Sequence, residues 1–296
     1  MVPHSDRGAA PPPQTFKVGR LELPVETGDP SPFIPSEQVY VPPAQGYLEK
    51  LAYAVAHNLP CLLIGETGVG KTHAVRSLAW HTRNGLRRVN LNGATTVDEF
   101  LGKMLINEQG TYWVDGVLVD AMLAGDWILL DEINACLPEI AFCLHSLLDD
   151  DRMVVLMEHD GRIVRPHPSF RLFASMNPSE EGRYGGTKML NEALLDRFPV
   201  VVRMDYLDED EEVRAVIAQS GLADEDVVRR MVRAARDVRD AVRHEKVFGS
   251  FSTRRVIDWA RMARTFPVRE AAQFAVVSKM SSDDAEAVQD IVDNYF

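Results

Sequence analysis

The chain has 296 residues, 46% of them hydrophobic, which is enough for one large domain or two smaller ones with a buried core. No stretch approaches roughly 18 consecutive apolar residues, so we expect no transmembrane helix, and three cysteines argue against a disulfide framework and for a reducing cytoplasm. The formal net charge of −12 disfavours a protein that grips nucleic acid, because such proteins usually present a basic face.

The segment over residues 1–42 is rich in proline. Ten of the 17 prolines of the chain lie within the first 43 residues. Proline lacks a backbone N–H group and fixes its own φ angle, so a segment of this kind sustains neither a helix nor a central strand. We therefore predict that residues 1–42 form an extended or disordered arm.

A strand, a glycine-rich loop and a helix are predicted in succession over residues 60–83. The first five of these residues are apolar, and the stretch from His73 onward is compatible with a helix. Between them lies a match to the phosphate-binding pattern G-x-x-x-x-G-K-[ST], in which backbone N–H groups turn toward a polyphosphate at a helix N-terminus. The sequence therefore predicts a nucleoside triphosphate site whose loop consists of Gly65, Glu66, Thr67, Gly68, Val69, Gly70, Lys71 and Thr72.

An acidic pair follows the apolar run 127–130 and begins 60 residues after Lys71. In the predicted site, Lys71 reaches the β- and γ-phosphates and the Thr72 hydroxyl is placed for Mg²⁺. Asp131 is expected to hold the same ion through its water shell, and Glu132 to act as the general base on the attacking water. The alternative for an acidic pair after a strand is a helix cap.

The sequence also predicts a strand over residues 87–91, and further apolar runs lie over residues 170–175 and 200–202. These strands alternate with helical stretches, which indicates a parallel sheet covered by helices. Ligands of such sheets bind beyond the carboxyl ends of the strands. Asn177 follows one of these ends, so its amide is a candidate to orient the attacking water between Glu132 and the γ-phosphate. An ordinary turn residue before proline is the alternative.

Two insertions and a C-terminal helical region complete the predicted organisation. Turn residues between short strand-like runs indicate hairpins over about 103–116 and about 152–166. Beyond the acidic stretch 208–212 the apolar residues recur with helical spacing, and no strand signal returns. We therefore predict an α/β nucleotide-binding domain over residues 43–206 and a helical lid domain over residues 207–296.

Arg197 is a candidate for a contact between subunits. It closes the helical segment 190–196 and is poised to project from the domain edge, where it could touch the nucleotide of a neighbouring subunit. An arginine supplied in this way raises hydrolysis rates about 10³- to 10⁵-fold. The alternative is a salt bridge with Asp196 or Glu192.

Arg254 is a candidate for a contact with phosphate inside the subunit. It lies in the first turn of a predicted helix capped by Ser252, where a cation opposes the helix dipole. An unfavourable cation at this place indicates a nearby anion, for which ATP phosphate is the obvious choice. Arg255 lies in the same turn, and the sequence leaves open which of the two faces the phosphate.

Together these motifs resemble those of the AAA+ ATPases and, within them, the MoxR-like branch. The resemblance rests on the loop 65–72, on Leu-Leu-Asp-Glu-Ile-Asn-Ala over residues 129–135, and on Leu-Leu-Asp-Arg-Phe over residues 194–198. Residues 162–174 look most like the ATPase subunit of aerobic cobaltochelatase and its relatives of the CbbQ/NorQ type. The match covers residues 47–206 well and the helical lid loosely.

This resemblance implies a P-loop NTPase parallel sheet sandwiched by helices, with a C-terminal all-helical lid. It implies a homo-oligomeric ring, a hexamer, with ATP between subunits. It assigns Asp131 and Glu132 to the Walker B motif, Asn177 to sensor 1, Arg197 to the arginine finger and Arg254 to sensor 2. Members work with a partner that carries a von Willebrand factor A domain. No D-x-S-x-S motif occurs here, so we expect that domain on another polypeptide.

We therefore expect a cytoplasmic ATP hydrolase that binds ATP and Mg²⁺ and remodels a protein client, as a chaperone or a metal-insertion motor. Neither nucleic acid nor a membrane is an expected partner. One alternative is a nucleic-acid-directed motor of a restriction or defence system, which the acidic charge disfavours. Another is a binding switch that holds ATP without turnover, against which Glu132 and Arg197 argue.

Overall fold

The computed structural model of the chain describes residues 14–37, 40–178 and 190–296. Its strands are, in chain order, β1 (Thr15–Val18), β2 (Leu21–Pro24), β3 (Cys61–Ile64), β4 (Leu86–Asn90), β5 (Gly102–Asn107), β6 (Gly110–Asp115), β7 (Trp127–Asp131), β8 (Val154–Leu156), β9 (Arg162–Val164), β10 (Leu172–Met176) and β11 (Val200–Arg203). Its helices are α1 (Tyr47–Ala56), α2 (Lys71–His81), α3 (Val97–Leu101), α4 (Val117–Ala124), α5 (Pro138–Leu148), α6 (Glu192–Leu195), α7 (Glu209–Ser220), α8 (Glu225–Arg243), α9 (Thr253–Met262), α10 (Val268–Ala275) and α11 (Ser282–Asp293). None of these helices is both long and apolar enough to cross a membrane.

A five-stranded parallel sheet lies at the centre of the fold, with the strand order β11-β3-β10-β7-β4. Strands β3, β7 and β10 are buried along their whole length, which explains why their sequences are mostly apolar. Met176 pairs with Ile64, and Asn90 pairs with Asp131, so these strands end at the same edge of the sheet. The predicted α/β architecture is confirmed, and its register brings the strand ends together.

Each face of the sheet is covered by its own cluster of buried side chains. Along β3, Leu62 and Ile64 pack into the cluster formed with α4 and α5. Cys61 and Leu63 point the other way and pack into the cluster formed with α1 and α2. Because successive side chains of a strand point to opposite faces, an unbroken apolar run is what a strand between two helical layers requires.

The N-terminal hairpin β1–β2 was missed in the sequence analysis, which predicted an extended or disordered arm over residues 1–42. Residues 1–13 and 38–39 of that segment lie outside the described residues. The chain contains no proline over residues 14–23, so nothing prevents two short strands from pairing there. Val18 and Leu23 are buried against α1, which holds the hairpin on the body of the protein.

Both predicted insertions are confirmed as antiparallel hairpins. One consists of β5 and β6, joined by the two residues between the pair Asn107 and Gly110, and the other consists of β8 and β9. The hairpins contact each other through an ion pair between Arg162 and Asp115, with 3.0 Å between Nη1 and Oδ1. The rings of Trp113 and His159 also stack there, with their centroids 4.9 Å apart.

The region beyond residue 206 is helical, as predicted, and α7 to α11 enclose a third cluster of buried side chains. A buried ion pair lies within it, where Arg239 donates from both Nη atoms to Glu212 at 2.8 and 2.6 Å. Thr253 also donates to Glu212, and Arg239 donates to the carbonyl oxygen of Phe251. This network holds the start of α9 against α7 and α8. The domain limits at residues 42 and 206 stay predictions.

Replacement of Arg239 by methionine is expected to lower the free energy of unfolding by about 3–5 kcal/mol, because Glu212 would keep a buried charge without its partner. Equilibrium urea denaturation followed by circular dichroism measures the effect. The double variant Glu212→Leu with Arg239→Met removes both charges and is expected to recover most of the loss. Equal stability of Arg239→Met and the unaltered protein would contradict the expectation.

Candidate functional site

A cavity of about 450 Å³ lies at the carboxyl edge of the sheet, between the loop after β3 and the helices of the C-terminal region. Most of the residues selected from the sequence line it: Thr67, Gly68, Val69, Gly70, Lys71, Thr72, Asp131, Glu132, Asn177 and Arg254. Gly65 and Glu66 lie at the start of the same loop and contact Lys71 through their carbonyl oxygens. The fold therefore brings together residues from four separate parts of the chain.

The loop before α2 has a backbone shape that depends on glycine. Gly68 and Gly70 have φ angles of 85° and 98°, in the left-handed region that other residues rarely adopt. A Cβ atom at Gly68 would lie 2.4 Å from the Cβ atom of Ser252, so the loop also needs a small residue where the lid approaches it. α2 begins directly after Gly70 without a side-chain cap, which leaves the backbone N–H groups of its first turn available to an anion.

Lys71 extends from the first turn of α2 into the cavity. Its Nζ donates to the carbonyl oxygen of Gly65, to that of Glu66 at 3.0 Å and to Oδ1 of Asn177 at 3.0 Å. Burial lowers the pKa of Lys71 to about 8, although the neighbouring carboxylates of Glu132 and Asp131 oppose this change. A polyphosphate in the cavity would favour the charged ammonium group.

Asp131 ends strand β7 and is almost completely buried. Its Oδ1 accepts a hydrogen bond from Oγ of Ser175 at 2.5 Å, and its Oδ2 lies 3.4 Å from Oγ1 of Thr72. Arg88 on β4 donates through Nε to the same Oδ2. A carboxylate and a hydroxyl group are oxygen ligands of the kind that Mg²⁺ prefers, so Thr72 and Asp131 fit the predicted metal site.

Glu132 and Asn177 lie side by side at the ends of neighbouring strands. Nδ2 of Asn177 donates to Oε1 of Glu132 at 3.2 Å, while Oδ1 of the same amide accepts from Lys71. Glu132 has a φ angle of 57°, in the left-handed region. This backbone conformation is strained for a residue with a side chain, and such strained residues are often found at functional sites. The amide therefore links the carboxylate to the ammonium group within the cavity.

The structure distinguishes the two arginines that the sequence left open. Arg254 lines the cavity, and its charge contributes to lowering the pKa of Lys71. Arg255 instead donates to Sδ of Met280 at 3.5 Å, on another side of α9. Ser252 is the N-cap residue of α9, as predicted, but its side chain makes no capping hydrogen bond and lies against Gly68 instead.

Arg197 lies away from the cavity of its own chain. Its Nε donates to Oδ1 of Asp149 at 2.6 Å, and its Nη1 donates to the carbonyl oxygen of Ala193 at 2.6 Å. The salt bridge is thus made with Asp149 at the end of α5, not with either acidic residue of its own helical segment. About a third of the Arg197 side chain is exposed, and its contact with a neighbouring subunit stays a prediction.

Two residues of the site were missed in the sequence analysis, namely Ser175 and Arg88, both of which contact Asp131. Ser175 is the one hydroxyl residue in the strand β10, and that polar interruption was a usable signal. Arg88 lies two residues before Asn90, the register partner of Asp131. Its role could be found only once β4 was known to be the neighbour of β7.

Replacement of Lys71 by alanine is expected to weaken ATP binding about 10- to 100-fold, because charge-assisted hydrogen bonds to phosphate are lost. Fluorescence anisotropy of a labelled ATP analogue measures the dissociation constant. Lys103→Ala removes an exposed lysine on β5 and serves as the control. A dissociation constant of Lys71→Ala equal to that of the control would argue against a phosphate contact.

Two family models match successive parts of the chain. The AAA domain of the dynein-related subfamily matches residues 60–198, and the CbbQ/NirQ/NorQ C-terminal model matches residues 212–295. The first range contains the loop, Asp131, Glu132, Asn177 and Arg197, and the second contains Arg254.

Curated relatives resemble the chain over most of its length. The denitrification regulatory protein NirQ of Pseudomonas aeruginosa is 33% identical over 249 residues, which cover 83% of this chain and 93% of NirQ. The aerobic cobaltochelatase subunit CobS of Sinorhizobium sp is 32% identical over 71% of this chain and 67% of CobS. Midasin of Dictyostelium discoideum is 37% identical over 189 residues, but the chain spans only 3% of its length, and 4% of the midasin of Giardia intestinalis.

Among solved structures, a RuvB mutant of Thermotoga maritima is similar to the chain with a TM-score of 0.51 and 16% sequence identity. The similarity covers 84% of this chain and 69% of that one. At this identity the likeness concerns the fold alone, a parallel sheet with helices followed by further helices.

Proposed function

Since this chain belongs to the AAA+ ATPases of the CbbQ/NirQ/NorQ type, we propose that it acts as one subunit of a ring that couples Mg²⁺-dependent ATP hydrolysis to the remodelling of a protein client. The observation that carries the hydrolytic part is the cavity in which Lys71, Asp131, Glu132 and Asn177 meet. The cavity contains a cation that can bind phosphate, Lys71, and a carboxylate that can bind a metal ion, Asp131. It also contains a second carboxylate that can accept a proton from water, Glu132.

Each of these side chains has a separate task in the proposed reaction. The backbone N–H groups of the loop and the Lys71 ammonium group bind the phosphates, as in other phosphate-binding loops. Thr72 and Asp131 would hold Mg²⁺, which would supply positive charge to neutralise the phosphates. Glu132 accepts the proton of the attacking water, and the Asn177 amide holds Glu132 in place. Arg254 lines the cavity from the lid, where it would contact a phosphate of the nucleotide.

The ring is proposed because Arg197 does not reach the cavity of its own chain. A neighbouring copy could present its Arg197 to this cavity, where it would stabilise the charge of the transition state. Asp149 holds the side chain at the surface until a neighbour is bound. We propose a hexamer, the ring size expected from the resemblance.

The client is proposed from the relatives. The name of CobS refers to an aerobic cobaltochelatase, and that of NirQ to denitrification. We propose that this chain likewise acts on a metalloprotein or a metal-inserting enzyme in the cytoplasm, together with a separate protein that carries a von Willebrand factor A domain. The three cysteines, none of which is in a disulfide, agree with a reducing compartment.

A pull-down from the native host tests this proposal. Glu132→Gln protein held in Mg-ATP is the bait, and Lys71→Ala protein, which is expected to bind ATP poorly, is the matched control. Mass spectrometry should identify a von Willebrand factor A protein, alone or with a metalloenzyme or chelatase subunit, only on the ATP-bound bait. A nuclease or nucleic acid on that bait would instead favour a nucleic-acid-directed motor.

A further inference from the structure

Arg88 and Arg87 are neighbours on the edge strand β4, but they face opposite sides of the sheet. The side chain of Arg87 pairs with Asp126 at 2.8 Å and lies 3.6 Å from Asp120. Arg88 lies on the same face as Asn90, because strand residues two apart point the same way. Asn90 is the register partner of Asp131, so Arg88 faces the metal-binding carboxylate. It also lines the nucleotide cavity.

The contact of Arg88 is made with one particular oxygen of Asp131. Ser175 donates to Oδ1, whereas Nε of Arg88 donates to Oδ2. The Thr72 hydroxyl group lies nearly equally far from both oxygens, 3.5 Å from Oδ1 and 3.4 Å from Oδ2. The guanidinium group therefore occupies one of the two carboxylate oxygens that lie beside Thr72, on which the predicted metal site depends.

The two partners differ in how freely they can move. The side chain of Asp131 is 6% exposed, and that of Arg88 is 54% exposed. A buried carboxylate is costly without a cation beside it, and Arg88 supplies that cation. A divalent ion at the same oxygen would repel the guanidinium group, since like charges at this distance repel strongly where water is scarce. Because Arg88 is half exposed and Asp131 is nearly enclosed, Arg88 is the side chain with room to turn away.

We propose that Arg88 is a positioning residue that serves as the counter-ion of Asp131 in the metal-free protein and gives up this carboxylate when Mg²⁺ binds. Arg88 thereby competes with the metal ion and sets the concentration of Mg²⁺ that nucleotide binding requires. The inference rests on the proposed Mg²⁺-dependent ATPase function.

The test compares nucleotide binding with and without metal. A fluorescent, non-hydrolysable ATP analogue is titrated in EDTA and in excess Mg²⁺. The readout is the dissociation constant in EDTA divided by the dissociation constant in Mg²⁺. Arg88→Gln is expected to raise this ratio about tenfold, the size of one charge-assisted hydrogen bond. The analogue with Mg²⁺ binds more tightly because the Arg88 guanidinium group no longer competes with the metal ion for Asp131. The analogue without metal binds more weakly because the negative charge of Asp131, now without its counter-ion, repels the phosphates.

Two control variants separate this role from a structural one. Arg87→Gln removes the neighbouring guanidinium group on the opposite face and should leave the ratio unchanged. Arg88→Lys retains a cation and should stay close to the wild-type ratio. If the ratio for Arg88→Gln equals that for Arg87→Gln, the inference about Arg88 is overturned, while the proposed nucleotide site is not contradicted. If the wild-type protein binds no nucleotide in either buffer, the proposed function fails as well.

A second measurement needs no nucleotide. Thermal unfolding is followed with and without Mg²⁺ alone. The unfolding midpoint of Arg88→Gln should rise on addition of Mg²⁺, because the ion replaces the missing counter-ion. The midpoint of the wild-type protein, in which Arg88 already fills this place, should change less. Equal responses of the two proteins would contradict the counter-ion role.

Discussion

Replacement of Glu132 by glutamine is expected to lower the turnover number about 10²- to 10⁴-fold and to leave the affinity for ATP nearly unchanged. Glutamine has the size of glutamate, but its amide cannot accept the proton of the attacking water. The hydrogen bonds that hold Lys71 in the cavity are made with Gly65, Glu66 and Asn177 and not with the Glu132 carboxylate, so binding should persist. Phosphate release by the assembled protein measures turnover, and anisotropy of a labelled ATP analogue measures binding.

The control for this variant is Glu139→Gln on α5. Glu139 is exposed and does not line the cavity, and its replacement by glutamine removes the same charge as Glu132→Gln. It should hydrolyse ATP at the wild-type rate. Wild-type turnover of Glu132→Gln would mean that a different group activates the water, and it would remove Glu132 from the proposed mechanism.

Replacement of Arg197 by alanine is expected to lower turnover about 10³- to 10⁵-fold, the contribution of an arginine supplied in trans. The affinity for ATP should be retained, because Arg197 contacts Asp149 and Ala193 rather than the cavity of its own chain. The same two assays measure the effect in assembled protein. Asp149→Asn, which removes the partner but keeps Arg197, should remain active.

Mixing two inactive variants tests whether Arg197 acts on a neighbour. An Arg197→Ala subunit has an intact Glu132, and a Glu132→Gln subunit has an intact Arg197. At an interface between the two, one complete site can form, so the mixture should hydrolyse ATP faster than either variant alone. If the mixture stays as slow as its components, Arg197 does not act across the interface.

The strands of the sheet and the residues at their ends were predictable from local sequence. Mostly apolar runs identified the three fully buried strands β3, β7 and β10, because a strand covered on both faces needs such a run. Motif spacing then selected Lys71, Asp131 and Asn177, since parallel strands present their carboxyl ends at one edge. The hairpin β1–β2 was hidden by the prolines that flank it.

The choice between Arg254 and Arg255 was not predictable in the same way. Consecutive residues of an α-helix point about 100° apart, so only one of the two can face the nucleotide. Which one does so depends on the rotation of α9 about its own axis. That rotation is set by packing against α7 and by the contact of Ser252 with Gly68, both distant in sequence.

By itself, the sequence determined the α/β class, the phosphate-binding loop and the acidic and amide residues at the strand ends, because these depend on local spacing and on the alternation of side chains along a strand. Only the tertiary structure decided which side chains contact Asp131. Arg88 and Ser175 come from β4 and β10, on either side of β7, far apart in the chain but adjacent in the strand order. The register between strands that are not consecutive follows from the packing of the whole sheet, which local sequence does not encode.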